Sequence, residues 1–196
     1  MKLFTSLTTS IIALTISTAA LAETQSPHSV GIQLGGGNME YKGEEGEAYG
    51  TSYLFYNYKF APFYSVEVGL LGGTDTDWDC KERSGEWKCY SDDDRHDLFE
   101  LAADDLELSA VVVALKTDLS LSKRNKLYAK AGLSYYNYEI ELNKTKIADE
   151  DGVGFMLEGG WEYRWDMGIG MNAGLQYHKM NDLKSSTLNV GISYAF

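Results

Sequence analysis

Apolar and polar positions alternate along most of this chain with a period of two. Val30, Ile32 and Leu34 are separated by Gly31, Gln33 and Gly35. Leu54, Tyr56, Tyr58 and Phe60 alternate with Tyr53, Phe55, Asn57 and Lys59, and Tyr64, Val66, Val68 and Leu70 share a parity that Glu67 does not. Leu127, Ala129, Ala131, Leu133 and Tyr135 alternate with Tyr128, Lys130, Gly132 and Ser134. Val153, Phe155, Leu157, Trp161, Tyr163 and Trp165 alternate with Gly154, Met156, Glu158, Gly160, Glu162 and Arg164. Ile169, Met171, Ala173, Leu175 and Tyr177 oppose Gly170, Asn172, Gly174, Gln176 and His178. The chain closes on Leu188, Val190, Ile192, Tyr194 and Phe196, against Thr187, Asn189, Gly191, Ser193 and Ala195. Successive side chains of a strand point to opposite faces, so each run is a strand with one apolar face and one small or polar face. An eighth strand runs from Leu106 to Leu119, its phase blurred by Val111, Val112 and Val113.

The connections fall into two sets. Ala61-Pro62, the stretch from Ser120 to Lys126, and Asp166 to Gly168 read as short turns. Glu40 to Gly50, Thr74 to Asp105, Asn143 to Asp151 and Lys179 to Ser185 read as longer or more charged loops. Within the second of these, Leu98, Leu101 and Ala102 fit either a helical turn or an early start of the next strand.

Eight sequential strands with small and charged residues on one face predict an all-β fold: an up-and-down, antiparallel, eight-stranded transmembrane β-barrel. The apolar face meets lipid, whereas a lipocalin-type cup would carry its apolar residues inside. A barrel strand crosses a bilayer with about 9–11 alternating residues, so the lack of any apolar run near 20 residues does not count against it. An even strand count puts both ends on one side, the short-turn side, expected to be periplasmic with the longer loops outside. Tyr56, Tyr58, Tyr64, Trp161, Tyr163 and Trp165 gather near the short turns, as an interfacial aromatic girdle requires.

Composition adds a compartment. Met1 to Ala22 has a positive start, an apolar stretch and an Ala20-Leu21-Ala22 cleavage site. It is expected to be a secretory signal, leaving one barrel domain over residues 23–196. The formal charge of -12 argues against a nucleic-acid partner. Two cysteines, Cys80 and Cys89, are expected to pair in an oxidising compartment.

Gly191, Tyr194 and the terminal Phe196 form a polar-x-Gly-x-x-aromatic-x-aromatic ending that resembles the C-terminal signal of bacterial outer-membrane barrels. With the Tyr-Ser-Val-Glu-Val-Gly strand around Glu67 and the Lys-Leu-Tyr-Ala-Lys-Ala-Gly-Leu-Ser-Tyr-Tyr strand, the chain from Ser29 to Phe196 resembles the small eight-stranded outer-membrane proteins of the OmpX/Ail and OmpA-barrel kind. The resemblance implies a multi-pass protein of the bacterial outer membrane, surrounded by its lipid and inserted by the barrel-assembly machinery. It speaks to architecture more than to activity, since the family holds adhesins, resistance factors and structural barrels.

The chemistry-bearing residues are few. Lys59, Glu67, Lys116, Lys130, Glu158, Glu162 and Arg164 are expected to face a lumen only wide enough for side chains, so they must pair there. Asp75, Asp77, Asp79 and Glu86 have the spacing of a calcium loop, but Cys80 stands where its sharp turn needs Gly. His178, in Tyr177-His178-Lys179-Met180-Asn181, resembles the His-x-Ser-Asn stretch of lipid A deacylases. Met180 occupies the nucleophile's place, and a thioether cannot do that work. No catalytic residue, metal or cofactor is expected. The reading is a monomeric barrel with a structural or surface-interaction role through acidic loops. The segment from Thr74 to Asp105, with twelve acidic residues, is the candidate contact surface for a ligand. A narrow pore is the alternative, and a lipid-modifying enzyme is a further one.

Overall fold

The computed structural model describes residues 26–75, 79–83, 86–90, 105–142 and 145–196. Among the described residues ten strands are formed: β1 (His28–Tyr41), β2 (Glu44–Lys59), β3 (Tyr64–Asp75), β4 (Asp79–Arg83), β5 (Glu86–Tyr90), β6 (Asp105–Ser120), β7 (Asn125–Leu142), β8 (Thr145–Arg164), β9 (Ile169–Met180) and β10 (Leu183–Ala195). Eight of them close an antiparallel barrel in the order β1-β10-β9-β8-β7-β6-β3-β2, while β4 and β5 pair only with each other. The seam is a full ladder from Ser29↔Ala195 to Tyr41↔Leu183. Closure leaves no barrel edge with unpaired backbone groups. The expected eight-stranded, up-and-down topology is the one observed, and the two added strands form a hairpin inside the long connection.

One end of the barrel, the turn end, carries both described ends of the chain and the connections Phe60 to Phe63, Leu121 to Arg124 and Trp165 to Gly168. Gly168, at φ 91°, lets the last of these fold back so that Trp165 N–H reaches the Ile169 carbonyl at 2.8 Å.

Three expected loops at the other end are not loops. Strands continue through Glu40 to Gly50 and Lys179 to Ser185, leaving Lys42-Gly43 and Asn181-Asp182 at the tips, and β8 already runs from Thr145 through Asp151, residues 143–144 lying outside the described residues. Positive φ at both Lys42 (52°) and Gly43 (95°) is the two-residue hairpin geometry that matches strand twist. The charge of these stretches reflects exposed strand faces rather than irregular backbone. Only the connection from Asp75 to Asp105 is long, so the expected contrast between short turns and long loops reduces to that one segment and to taller hairpins.

The hairpins explain a reversal of polarity along the strands. On β7 the outward residues are apolar from Leu127 to Tyr135 and then become Asn137 and Glu139. Its inward residues are Lys126, Tyr128, Lys130 and Ser134, then Tyr136, Tyr138 and Ile140, all buried. On β6 the outward Leu119, Leu115, Val113 and Val111 give way to Ser109 and Glu107, while the inward side passes from Lys116 to Leu108 and Leu106. Val112 points in and its two neighbours point out, which fixes the strand's phase. The apolar face therefore looks outward for the length of a bilayer crossing and inward beyond it, where water surrounds the barrel.

Candidate functional site: the ion-paired lumen

The inward face was expected to be small and charged throughout. The structure divides it into two storeys. Toward the hairpin end, Met39, Tyr49, Leu106, Tyr138, Met156, Met180 and Leu183 pack as a fully buried apolar cluster. Toward the turn end lie the charges.

The upper charged layer centres on Lys130 of β7. Its Nζ lies 2.9 Å from Glu67 Oε1 and 3.2 Å from Glu158 Oε2, with all three side chains at most 2% exposed. Tyr53 donates to Glu67 at 3.0 Å, Tyr128 donates to Glu158 at 2.6 Å, and Gln33 Nε2 donates to Glu158 at 3.0 Å and to Asn172 at 2.8 Å. The ammonium also faces the rings of Phe55, Tyr128 and Tyr53 at 5.0, 5.3 and 5.5 Å, a cation–π environment worth most when dry. Residues from β1, β2, β3, β7, β8 and β9 thus meet in one cross-lumen knot. Gly69 makes the knot possible, since a Cβ there would lie 2.3 Å from the Tyr53 ring.

The lower layer joins Lys116 Nζ to Glu162 Oε2 at 2.9 Å and to Asp118 at 3.5 Å. Arg164 grips Glu162 Oε1 through Nε at 3.0 Å and a terminal nitrogen at 2.9 Å. Its remaining donors reach the Gly168 carbonyl at 2.9 Å and Ser193 Oγ at 3.1 Å. Beneath it is a cleft of about 40 Å³ whose lining includes Lys59, Lys126 and Asp118. Lys59 therefore lies at the mouth and not in the knot. Sequence reasoning missed Lys126 and Asp118, which sit where strand meets turn and parity is hard to fix. It also missed the neutral partners Gln33, Tyr53, Asn57, Tyr128, Asn172 and Gln176. Their shared parity with Glu67, Lys130 and Glu158 was the available signal.

The other candidates fall elsewhere. His178 faces inward and is 1% exposed. Its ladder partners are Met156 and Ser185, and among the described residues neither ring nitrogen has a hydrogen-bond partner. Ser185 is thus opposite His178 without the hydrogen bond that would activate a nucleophile. Cys80 and Cys89 are direct ladder partners in the β4–β5 hairpin. Asp77, Leu98, Leu101, Ala102 and Met1 to Ala22 lie outside the described residues, and the side chains of Asp75, Asp79 and Glu86 are likewise not described. Tyr56, Tyr58, Tyr64 and Trp165 are exposed at the turn end, and Trp161 and Tyr163 half-buried. His28 joins them, accepting or donating at 2.6 Å with Tyr56 OH and stacking on Phe196 at 5.9 Å. Phe196 N–H in turn donates to the His28 carbonyl at 3.0 Å, so Phe196 closes the seam. Gly191 lies on the same strand in register with Gln33, and Tyr194 pairs with Val30.

Comparison with curated protein sequences finds no match. Among solved structures, Neisserial surface protein A (NspA) is similar at a TM-score of 0.64 and 15% identity, covering 89% of this chain and 100% of that one. The attachment invasion locus protein Ail of Yersinia pestis is similar at 0.57 and 14% identity, covering 88% and 99%. The N-terminal β-barrel domain of Pseudomonas aeruginosa OprF is similar at 0.52 and 11% identity, covering 88% and 100%. These identities speak for the fold. The profile of the outer membrane protein beta-barrel domain matches residues 7–196, and with the closed barrel, outward apolar belt and aromatic girdle it places the chain in the outer-membrane β-barrel family.

Proposed function

We propose that this protein resides in the bacterial outer membrane as a sealed barrel whose task is surface display. The turn end faces the periplasm and the hairpin end faces outward. The segment from Thr74 to Asp105 is the contact surface. One observation carries the reading: Lys130 is clasped between Glu67 and Glu158 across the lumen, beneath an apolar storey that fills the hairpin end. A knot whose charges are paired and an apolar roof both oppose continuous water passage. The barrel is then a scaffold, and its distinguishing chemistry is the display segment.

That segment carries twelve acidic residues against Lys81, Arg83, Lys88 and Arg95. Its strong negative field favours a partner with a basic face and raises the rate of encounter with it. Among the similar structures, Ail of Yersinia pestis is described as an attachment invasion locus protein, which is a surface role on the same scaffold.

The test uses intact cells. A membrane-impermeant label reaches a cysteine placed in the display segment (on a Cys80→Ser, Cys89→Ser background) and does not reach one placed at Ser122. Full-length barrel in nanodiscs, compared with a barrel lacking residues 76–104, then captures basic surface partners only when the segment is present. Labelling of the Ser122 position alone overturns the orientation, and equal capture by both barrels overturns the display role.

A further inference from the structure

The lipid-facing wall is not uniform. On the outside of β7, β8, β9, β10 and β1 lies a groove of about 720 Å³. Gly159 is its floor, where an added Cβ would meet nothing within 4 Å. Leu157, Leu175 and Leu188 wall it, exposed by 47, 67 and 60%, and Tyr177 closes its hairpin side. The ladders Gly159↔Leu175↔Leu188 and Leu157↔Tyr177 run across it. A second groove, of about 650 Å³ over β1, β2, β3 and β6, is lined instead by Gly, Ser and Thr and by Glu107.

Above this groove β9 and β10 meet in an early hairpin, while β8 runs on to Thr145. β9 spans only Ile169–Met180, close to the roughly 9–11 residues a crossing needs, so the Asn181-Asp182 tip lies at headgroup depth. Two residues along each strand from Tyr177 and Ser186, about 7 Å, come Lys179 and Lys184. They are direct ladder partners with outward parity. Two like charges placed opposite each other on a ladder are unfavourable. Glu40, next in the row, bonds Lys184 at 2.6 Å and offsets one of them. Lys179 is exposed and forms no ion pair among the described residues. Asp182 and Glu150, which accepts from Asn181 at 3.0 Å, are the acids at the tip. At the lysine side of the groove, its lining residues Asn38 and Ser186 are exposed and offer the hydrogen bonds a sugar uses.

An apolar trough, then hydroxyl and amide groups, then a cation is the order of parts in an acylated, phosphorylated sugar lying in a leaflet. We propose that this face holds a lipid A-type phosphoglycolipid of the outer leaflet, with acyl chains over Gly159 and a phosphate on Lys179 and Lys184. The assignment of the leaflet rests on the hairpin end facing outward. Glu40 acts as a tuning group: it aligns Lys184 while lowering the net positive charge of the row.

The experiment places the full barrel, its fold verified by heat-modifiable migration, in phosphatidylethanolamine nanodiscs. The discs contain equal minor amounts of bisphosphorylated lipid A, dephosphorylated lipid A and phosphatidylglycerol. Native mass spectrometry counts what remains bound. Wild type retains bisphosphorylated lipid A over both others. Lys179→Gln lowers that retention about fivefold, the worth of one basic residue, about 1 kcal/mol, near an anionic surface. Gly159→Leu, which fills the floor without a clash, lowers it as well. Glu40→Gln raises it, a direction that a merely structural role would not produce. Val68→Ala, on the lipid-facing side of β3 across the barrel, leaves it unchanged. Equal retention of phosphatidylglycerol, wild-type retention by both Lys179→Gln and Gly159→Leu, or an equal loss in Val68→Ala overturns the site. Nanodiscs have no inside or outside, so these results are independent of the cell labelling that tests orientation.

Discussion

Replacing Lys130 by Met removes the one cation between two buried carboxylates. The side chain is isosteric enough to leave little void, so the effect is electrostatic. Two charge-assisted contacts are lost, at 2.9 and 3.2 Å, each of a kind worth about 1.5–3 kcal/mol. Glu67 and Glu158 then remain in a lumen walled by Tyr53, Phe55 and Tyr128. Breaking such a buried pair typically costs about 3–5 kcal/mol, because the partner is stranded rather than because the pair was strongly favourable. Lys130→Met is therefore expected to unfold at markedly lower urea and to lose its heat-modifiable band at lower temperature. Glu158→Gln alone is milder, since Lys130 keeps Glu67 and the amide keeps a hydrogen-bonding site near Tyr128, Gln33 and Gln176. The double variant is expected to recover part of the single Lys130→Met loss, with a coupling of about 0.5–3 kcal/mol. The assay is a double-mutant cycle on urea unfolding in one detergent at fixed ionic strength. Unfolding of all four proteins at the same urea concentration, or strict additivity, refutes the clasp.

Four further outcomes follow from particular contacts. Cys80 and Cys89 are ladder partners, and antiparallel partners lie about 4.5–5.5 Å apart at Cα, inside the disulfide range; intact mass is expected to fall two hydrogens below the reduced value, and full alkylation of both thiols without reductant contradicts this. Deleting Phe196 removes the stack on His28 and a seam hydrogen bond, so the truncated chain is expected to accumulate in the periplasm rather than the outer-membrane fraction. Gly69→Ala drives a methyl to 2.3 Å from the Tyr53 ring and is expected to cost about 1–3 kcal/mol by overpacking, read as a lower urea midpoint. At the hairpin end, outside the hydrocarbon layer, hydrogen bonds from Asn181 and Tyr138 hold the Glu150 carboxyl below its ordinary value of 4.5. Its contribution is thus present above that value and lost as pH falls through the lower folded one. Amide exchange at Asn181 and Asp182 in wild type is expected to approach that of Glu150→Gln only at acid pH.

Much of this architecture was legible because strand parity is a local property. Glu67, Lys130, Glu158 and Glu162 could be placed in the lumen by counting residues from Leu70, Leu133, Leu157 and Trp161. The phase of β6 was not readable, because three consecutive valines satisfy either parity; its ladder to β3, with Val68↔Val113, decides it. The hairpin extensions were hidden for a different reason. Beyond the bilayer the apolar residues move to the opposite parity, so Tyr136, Tyr138 and Ile140 interrupt the pattern and the acidic outward residues resemble a loop. That shift of parity is itself the sequence mark of the membrane boundary. The neutral members of the knot were missed because Gln33, Asn57 and Asn172 signal polarity without a partner of opposite charge.

The central claim is that paired charges and an apolar roof seal the barrel. Purified, folded protein inserted into planar bilayers tests it most directly, by current recorded across a range of voltages in 1 M KCl (a high concentration chosen to expose even a narrow path, where the Debye length is only about 3 Å). The sealed lumen predicts insertion without steady conductance, and Lys130→Met is the variant expected to admit ions. Uniform, ohmic current steps from the wild type would contradict the account and make the protein a pore.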